Sequence, residues 1–185
     1  AFFFKIAAAP LHMWSPDVYE GSPTRSTIFF AVIPKIALFA VFIRMFQTVF
    51  SSFEDTLLIM SIFFSICSVI VGSFAALRQR KLKRLLAYSS VSHVGYLLLA
   101  FSSNSLEGTH ALFFYLVIYM ITSLSLWSVI LSINTSTNIE RSKTLIDFAS
   151  VSSLNPLIGL TGMIALFSLA GVPPLAGFYA KMVIF

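Results

Sequence analysis

The sequence predicts an all-α fold, a polytopic transmembrane helical bundle with broken helices. Three observations carry this: apolar runs of membrane-span length, an alternating charge bias in the connectors, and lysines and prolines inside the apolar runs. Of 185 residues, 58% are hydrophobic, 20 are Phe and only 10% are charged, against about 25% charged in an average soluble domain. That leaves too little polar surface to coat a water-soluble globule. At about 20 apolar residues per span, the length accommodates about five or six spans and no separate soluble domain.

The apolar runs cover about residues 1–14, 27–50, 56–77, 84–101, 111–133 and 155–185, read as one transmembrane domain. Their lengths require helices, because barrel strands are about 9–11 residues long and alternate in polarity. The connectors carry the turn and charge signals, from Ser15-Pro-Asp-Val-Tyr-Glu-Gly-Ser-Pro23 to the stretch 134–155. Connectors one, three and five hold Arg25, the five basic residues of Arg78–Arg84, and Arg141 with Lys143. The intervening connectors hold Glu54, Asp55 and Glu107, with Arg44 as the one nearby basic residue. By the positive-inside rule, the connectors near 20, 81 and 143 face the negative side. The chain begins with Ala1 and a short first run, where a free ammonium would be costly in hydrocarbon. A fragment, or one piece of a split polypeptide, is therefore expected.

Several function classes drop out. A single cysteine, Cys67, excludes an internal disulfide, a four-cysteine zinc site and an iron–sulfur cluster. There is no Gly-rich phosphate loop, no H-E-x-x-H and no C-x-x-C. The basic run is seven residues long and wedged between apolar segments, which fits membrane topology and not nucleic acid.

All seven acidic residues fall in connectors. Three lysines, Lys5, Lys35 and Lys181, lie inside apolar runs. A central intramembrane lysine costs at least about 2.5–3.5 kcal/mol on insertion scales and marks a functional site. Prolines accompany each of them: Pro10 follows Lys5, Pro34 precedes Lys35, and Gly171-Val-Pro173-Pro174 precedes Lys181. Proline removes a backbone hydrogen bond, and broken helices beside ionisable groups recur along ion paths in transporters. These five residues, Pro10, Pro34, Gly171, Pro173 and Pro174, are the expected breaks. Ser89, Ser92, His93 and Tyr96 follow at helical spacing on one face, and Tyr115, Tyr119 and Thr122 do so in the next run. That stripe is read as a hydrated proton path or as ordinary interhelical hydrogen bonding, with His93 suited to relay by its near-neutral titration.

Three motifs resemble the antiporter-like membrane subunits of respiratory complex I. Phe4-Lys-Ile-Ala-Ala-Ala-Pro-Leu-His-Met-Trp-Ser-Pro-Asp-Val-Tyr-Glu-Gly-Ser-Pro23 resembles their seventh helix. Lys83-Arg-Leu-Leu-Ala-Tyr-Ser-Ser-Val-Ser-His-Val-Gly-Tyr96 resembles the start of the tenth, and Ala170-Gly-Val-Pro-Pro-Leu-Ala-Gly-Phe-Tyr-Ala-Lys181 the broken twelfth. Asp17-Val-Tyr-Glu-Gly21 departs from the Ala-Met-Glu-Gly-Pro pattern of one such subunit, and Lys181 from the Glu typical of another.

The resemblance implies half of one inverted repeat plus most of the second, corresponding to helices seven to twelve. It implies that Lys5, Lys35, Lys181 and His93 carry protons, with Ser89, Ser92, Tyr96, Tyr115 and Tyr119 in support. It implies no cofactor in this chain, with NADH, FMN, iron–sulfur clusters and ubiquinone bound by other subunits. The implied partners are other membrane-arm subunits, including neighbouring antiporter-like ones, membrane lipids, and an upstream polypeptide that supplies the missing helices and an acidic residue. The implied location is the mitochondrial inner membrane, with the bacterial plasma membrane as alternative. A cation/proton antiporter subunit shares the fold, and a structural scaffold with lysines anchored to lipid is the contrasting reading.

Overall fold

A computed structural model of the chain describes residues 1–50, 53–137, 144 and 155–185. Among the described residues the helices are α1 (Phe2–Lys5), α2 (Trp14–Gly21), α3 (Thr24–Thr48), α4 (Glu54–Leu77), α5 (Leu82–Ser102), α6 (Leu106–Thr137), α7 (Pro156–Ala170) and α8 (Ala176–Ile184). By length and composition, α3 to α6 are each able to cross a membrane. The protein is a multi-pass membrane protein.

The expected first span is not one helix. After four helical residues the chain turns through Ile6–Met13, with Ala7 left-handed at φ 60°. That conformation costs an L-residue about 1–2 kcal/mol. The segment is nevertheless fully enclosed, with Ile6 to Ala9 all buried. Ser68 on α4 supports it by accepting the Ala9 N–H at 2.9 Å. The following connector is itself helical. Pro16 sits in the first turn of α2, where a missing N–H breaks no helical bond, and Asp17 complements the positive helix end.

Pro34 does not break its helix. α3 runs unbroken from Thr24 to Thr48 with Pro34 inside it. A single proline removes one i→i−4 bond, and the bonds on either side hold the helix together. The chain does break at 171–175, between α7 and α8. α7 starts at Asn155, whose side chain accepts the Leu157 N–H, with Pro156 at the first helical position. It ends at Gly171 with φ 83°, a left-handed C-terminal position suited to glycine.

α5 is the centre of the bundle. One core cluster joins its Val94, Leu97, Leu98 and Phe101 to Phe39 and Phe42 of α3 and Leu112 of α6. A second joins Leu82, Leu86 and Ala87 to Tyr19, Val32, Leu126 and Trp127. α4 approaches α5 through Ser61, Ser65, Ser68 and Gly72, buried residues spaced on one helical face. Small residues let membrane helices come together closely. A Cβ on Gly72 would lie 2.6 Å from the Ser92 nitrogen, and one on Gly95 would lie 3.0 Å from the Ser65 carbonyl oxygen. The opposite face of α4 turns Ile59, Phe63, Ile66, Ile70 and Phe74 outward, as a lipid-facing surface requires.

The two ends of the bundle sort by charge. Lys81 and Arg84 pair with Glu20, and Arg84 also pairs with Asp17. Thr144 bridges to Lys81 on the same end. Asn104 meets Glu54 at the other end. The connectors near 20 and 81 therefore lie together, opposite those near 54 and 104, while Arg141 and Lys143 fall outside the described residues. In a Cys67→Ala background, cysteines at 81 and 104 should react with impermeant reagents from opposite sides of the membrane. Gly72→Leu should destabilise the folded protein by about 1–3 kcal/mol through overpacking, whereas Phe74→Leu on the lipid face should have little effect. Thermal unfolding in detergent reads the difference.

Candidate functional site

Lys35 reaches into the contact between α3, α5 and α6. It is only 7% exposed. Its Nζ donates to the Tyr119 hydroxyl at 3.1 Å and makes a longer contact, 3.5 Å, to the Ser90 carbonyl oxygen. The ammonium also lies 5.1 Å from the centre of the Tyr119 ring, a distance at which a ring face attracts a cation. The buried ammonium is thus solvated by neutral groups.

The polar groups continue from Tyr119. Its ring is 5.2 Å from that of His93. His93 Nδ1 is hydrogen-bonded to the Tyr115 hydroxyl at 2.6 Å, with either atom able to donate according to the tautomer. A small cavity of about 10 Å³ is lined by His93, Tyr115, Tyr119, Thr122, Ser168 and Lys181, room for about one water molecule. The helix break delivers Lys181 to this place. Its Nζ donates to the carbonyl oxygens of Leu169 and Ala170, at 3.1 and 3.0 Å, where the last carbonyls of α7 lack helical partners. Gly171 leaves room for this, since a Cβ there would come within 3.1 Å of Lys181 Nζ. The Tyr96 ring lies under the same ammonium at 5.2 Å.

Two lysines, an imidazole and phenols thus lie near one another inside the bundle, with His93, Tyr115, Tyr119 and Lys181 around one small cavity. Hydroxyl and imidazole groups each donate and accept, the property a proton path requires. Among the described residues no group of three or more His, Cys, Asp or Glu is placed to hold a metal ion.

Lys5 is placed differently. It is exposed, and with Lys35 it lines a cleft of about 360 Å³ that also takes in Tyr19, Pro34, Phe30 and Trp14. Ser89 and Ser92 stand apart from the lysines. Ser92 Oγ donates to the Ser89 carbonyl oxygen, and Ser92 backs onto Gly72 of α4. The serine that serves Lys35 is Ser90, three residues before His93. Ser90, Tyr19 and Ser168 were not singled out by the sequence. The i, i+3 spacing of Ser90 and His93 could have indicated the first, but Tyr19 was hidden in a connector and Ser168 in an apolar run. Pro10 lies in the turns after α1, and Pro173 and Pro174 lie in the α7–α8 break, both positions exposed.

Residues 1–185 match the family described as NADH:quinone oxidoreductase/Mrp antiporter, transmembrane. The chain belongs to that family. NADH-ubiquinone oxidoreductase chain 2 of Oenothera berteroana is 44% identical over 184 residues, covering 100% of this chain and 36% of that protein. NADH-quinone oxidoreductase subunit N of Pelagibacter ubique is 46% identical over 182 residues, covering 98% of this chain and 38% of that protein. A chain in the structure of respiratory complex I from Thermus thermophilus with bound aureothin superposes with a TM-score of 0.79 at 37% identity, over 99% of this chain and 39% of that one. The chain therefore spans less than two fifths of the length of these relatives. The family and the antiporter-like fold agree with the resemblance carried by the three motifs.

The turns that follow Lys5 are held in part by the Ser68 hydroxyl. Ser68→Ala would strand the buried Ala9 N–H, a loss of about 1–3 kcal/mol. Ser73→Ala, on an exposed face of the same helix, should be near neutral. Thermal unfolding of the two variants checks this.

Proposed function

We propose that this chain is part of a membrane-arm subunit of a proton-pumping NADH:quinone oxidoreductase, and that it moves protons through Lys35, His93 and Lys181. The observation that carries the reading is the Lys35 ammonium, buried on Tyr119, whose ring neighbours His93 and shares a small cavity with His93 and Lys181. An ammonium kept in such surroundings without a carboxylate is costly, and an intramembrane ionisable group of this kind marks a functional site. The names of the relatives, chain 2 and subunit N, support the oxidoreductase.

In this reading the chain performs no redox chemistry. NADH, FMN, iron–sulfur clusters and quinone belong to other subunits, and energy released there drives changes in charge along the lysines. The partners are other membrane-arm subunits and lipid. The setting is the mitochondrial inner membrane or, for a bacterial protein, the plasma membrane. The family description also covers cation/proton antiporters, so a sodium-dependent activity free of NADH oxidation is the second reading.

Lys5, exposed on the cleft, calls for a partner. A Glu or Asp from outside residues 1–185 should stand within about 4–6 Å of it in the complete assembly, the range over which an opposite charge holds a proton on. A structure of the assembly with only apolar groups around Lys5 would contradict this.

The function is tested by Lys35→Met in membrane vesicles carrying the assembled complex. Proton translocation driven by NADH should fall by roughly 100-fold or more, the scale of a lost acid–base group. A scaffold would lose nothing.

A further inference from the structure

We propose that the outer face of α4 and the turn after it bind one anionic phospholipid, with its phosphate on Arg78 and Arg80 and its acyl chains along Phe74, Ile70 and Ile66. The proposal rests on the reading of the chain as embedded beside lipid, and is independent of proton transfer through Lys35. Five basic residues stand in Arg78–Arg84, and the structure divides them. Lys81 and Arg84 turn to the acids of α2, and Lys83 Nζ donates to the Ser22 carbonyl oxygen at 2.7 Å. Arg78 and Arg80 are exposed, and among the described residues nothing pairs with either guanidinium. Membrane topology accounts for the sign of the run, and does not account for this division.

The end of α4 does not consume these two side chains. A helix leaves its last carbonyls without helical partners, and basic side chains commonly satisfy them. Here the Ala75 carbonyl oxygen accepts from the Arg78 backbone N–H at 3.3 Å and from Gln79 Nε2 at 3.1 Å. The Ala76 carbonyl oxygen accepts from the Gln79 backbone N–H at 3.1 Å. Backbone and the neutral Gln79 thus close the helix, and both guanidiniums are left for an anion from outside. Arginine presents its donors in a planar fork that matches the oxygens of a phosphate in pairs.

The helix face supplies the rest of the lipid's contacts. Ile59, Phe63, Ile66, Ile70, Phe74 and Leu77 are all more than half exposed. They follow one another at intervals of three and four residues, which is one side of a helix, and Arg78 continues that row one turn after Phe74. At 1.5 Å per residue the apolar stripe is about 27 Å long, close to the ~30 Å of hydrocarbon in a bilayer. Leu77 therefore stands at one edge of the hydrocarbon and the arginines at the level of the headgroups. The other end of the same helix carries Glu54 and Asp55 in its first turn, which repel an anionic headgroup. Charge selects the end of α4, and the apolar stripe selects a lipid over a free anion.

The experiment uses the assembled complex in vesicles of equal parts phosphatidylcholine and phosphatidylglycerol, with photoreactive p-benzoylphenylalanine in place of Phe74 or, separately, of Ile59. Irradiation followed by mass spectrometry of the subunit reads which lipid is bonded at each place. At position 74 the ratio of phosphatidylglycerol to phosphatidylcholine adducts should exceed the bulk ratio by about fivefold, the worth of one basic residue beside anionic lipid. At position 59 it should equal the bulk ratio or fall below it. Arg78→Gln/Arg80→Gln should return the ratio at 74 to that of the bulk, and Arg78→Lys/Arg80→Lys should keep part of the preference, since the charge stays and the fork is lost. Equal labelling by the two lipids at 74 in the otherwise parental complex overturns the proposal whether or not the arginine variants assemble. A preference that survives Arg78→Gln/Arg80→Gln also overturns it. So do adducts to protein in place of lipid at 74, which make the face an interface with another polypeptide segment. None of these outcomes touches the proton-carrier reading, and normal translocation by Lys35→Met would leave the lipid site standing.

Discussion

A charge can remain within a membrane only if the protein replaces the water it loses, and the bundle is arranged around that requirement at Lys35. The ammonium has acceptors on two neighbouring helices. It finds the Tyr119 hydroxyl on α6 and the Ser90 carbonyl oxygen on α5. These acceptors are useful only if α5 is held still in the middle of the bundle. The serine and glycine face of α4 presses on one side of α5, and the aromatic and aliphatic clusters of α3 and α6 hold the others.

The α7–α8 break answers the same requirement in a different way. Where an unbroken helix would have consumed the carbonyls of Leu169 and Ala170, the break leaves them to accept from Lys181. The cation thus satisfies the helix end while the helix end satisfies the cation. Ser168 completes the joint, its hydroxyl accepting the Gly177 N–H at 3.2 Å. Gly177 has no space for a side chain, since a Cβ would collide with the Ser168 carbonyl. Lys35 relies on a hydroxyl and a backbone carbonyl from two other helices, whereas Lys181 relies on the backbone that the break leaves open.

The N-terminal turns and α2 connect this interior to the bundle end. Their backbone is irregular, yet it is supported at both limits: by Ser68 at Ala9, and by the ion pairs of Asp17 and Glu20. Trp14 contributes a third support, donating from its indole to the Phe4 carbonyl oxygen at 2.9 Å. His12 is buried beside the Tyr88 ring. An irregular segment so well held can carry a cleft between Lys5 and Lys35 without collapsing into it.

The sequence by itself determined the quantities that depend on composition and chain order. Too few charges for a soluble surface meant a membrane bundle. Lysines in apolar runs meant an ionisable interior, and Gly171 with two prolines meant a break ahead of Lys181. Connector charges separated the two ends. These follow from transfer free energies and backbone chemistry, which act residue by residue. What only the tertiary structure decided is who meets whom. Ser89 and Ser92 share a helical face with His93 by spacing, but the close approach of Gly72 draws Ser92 toward α4, and Ser90 is the residue turned to Lys35. Pro34 stays helical because its neighbours keep their bonds, and Tyr19 joins the site because a segment that reads as a loop folds into α2. Such choices depend on helix rotation and packing distance, which arise from contacts between residues far apart in the chain and leave no periodic trace in any one segment.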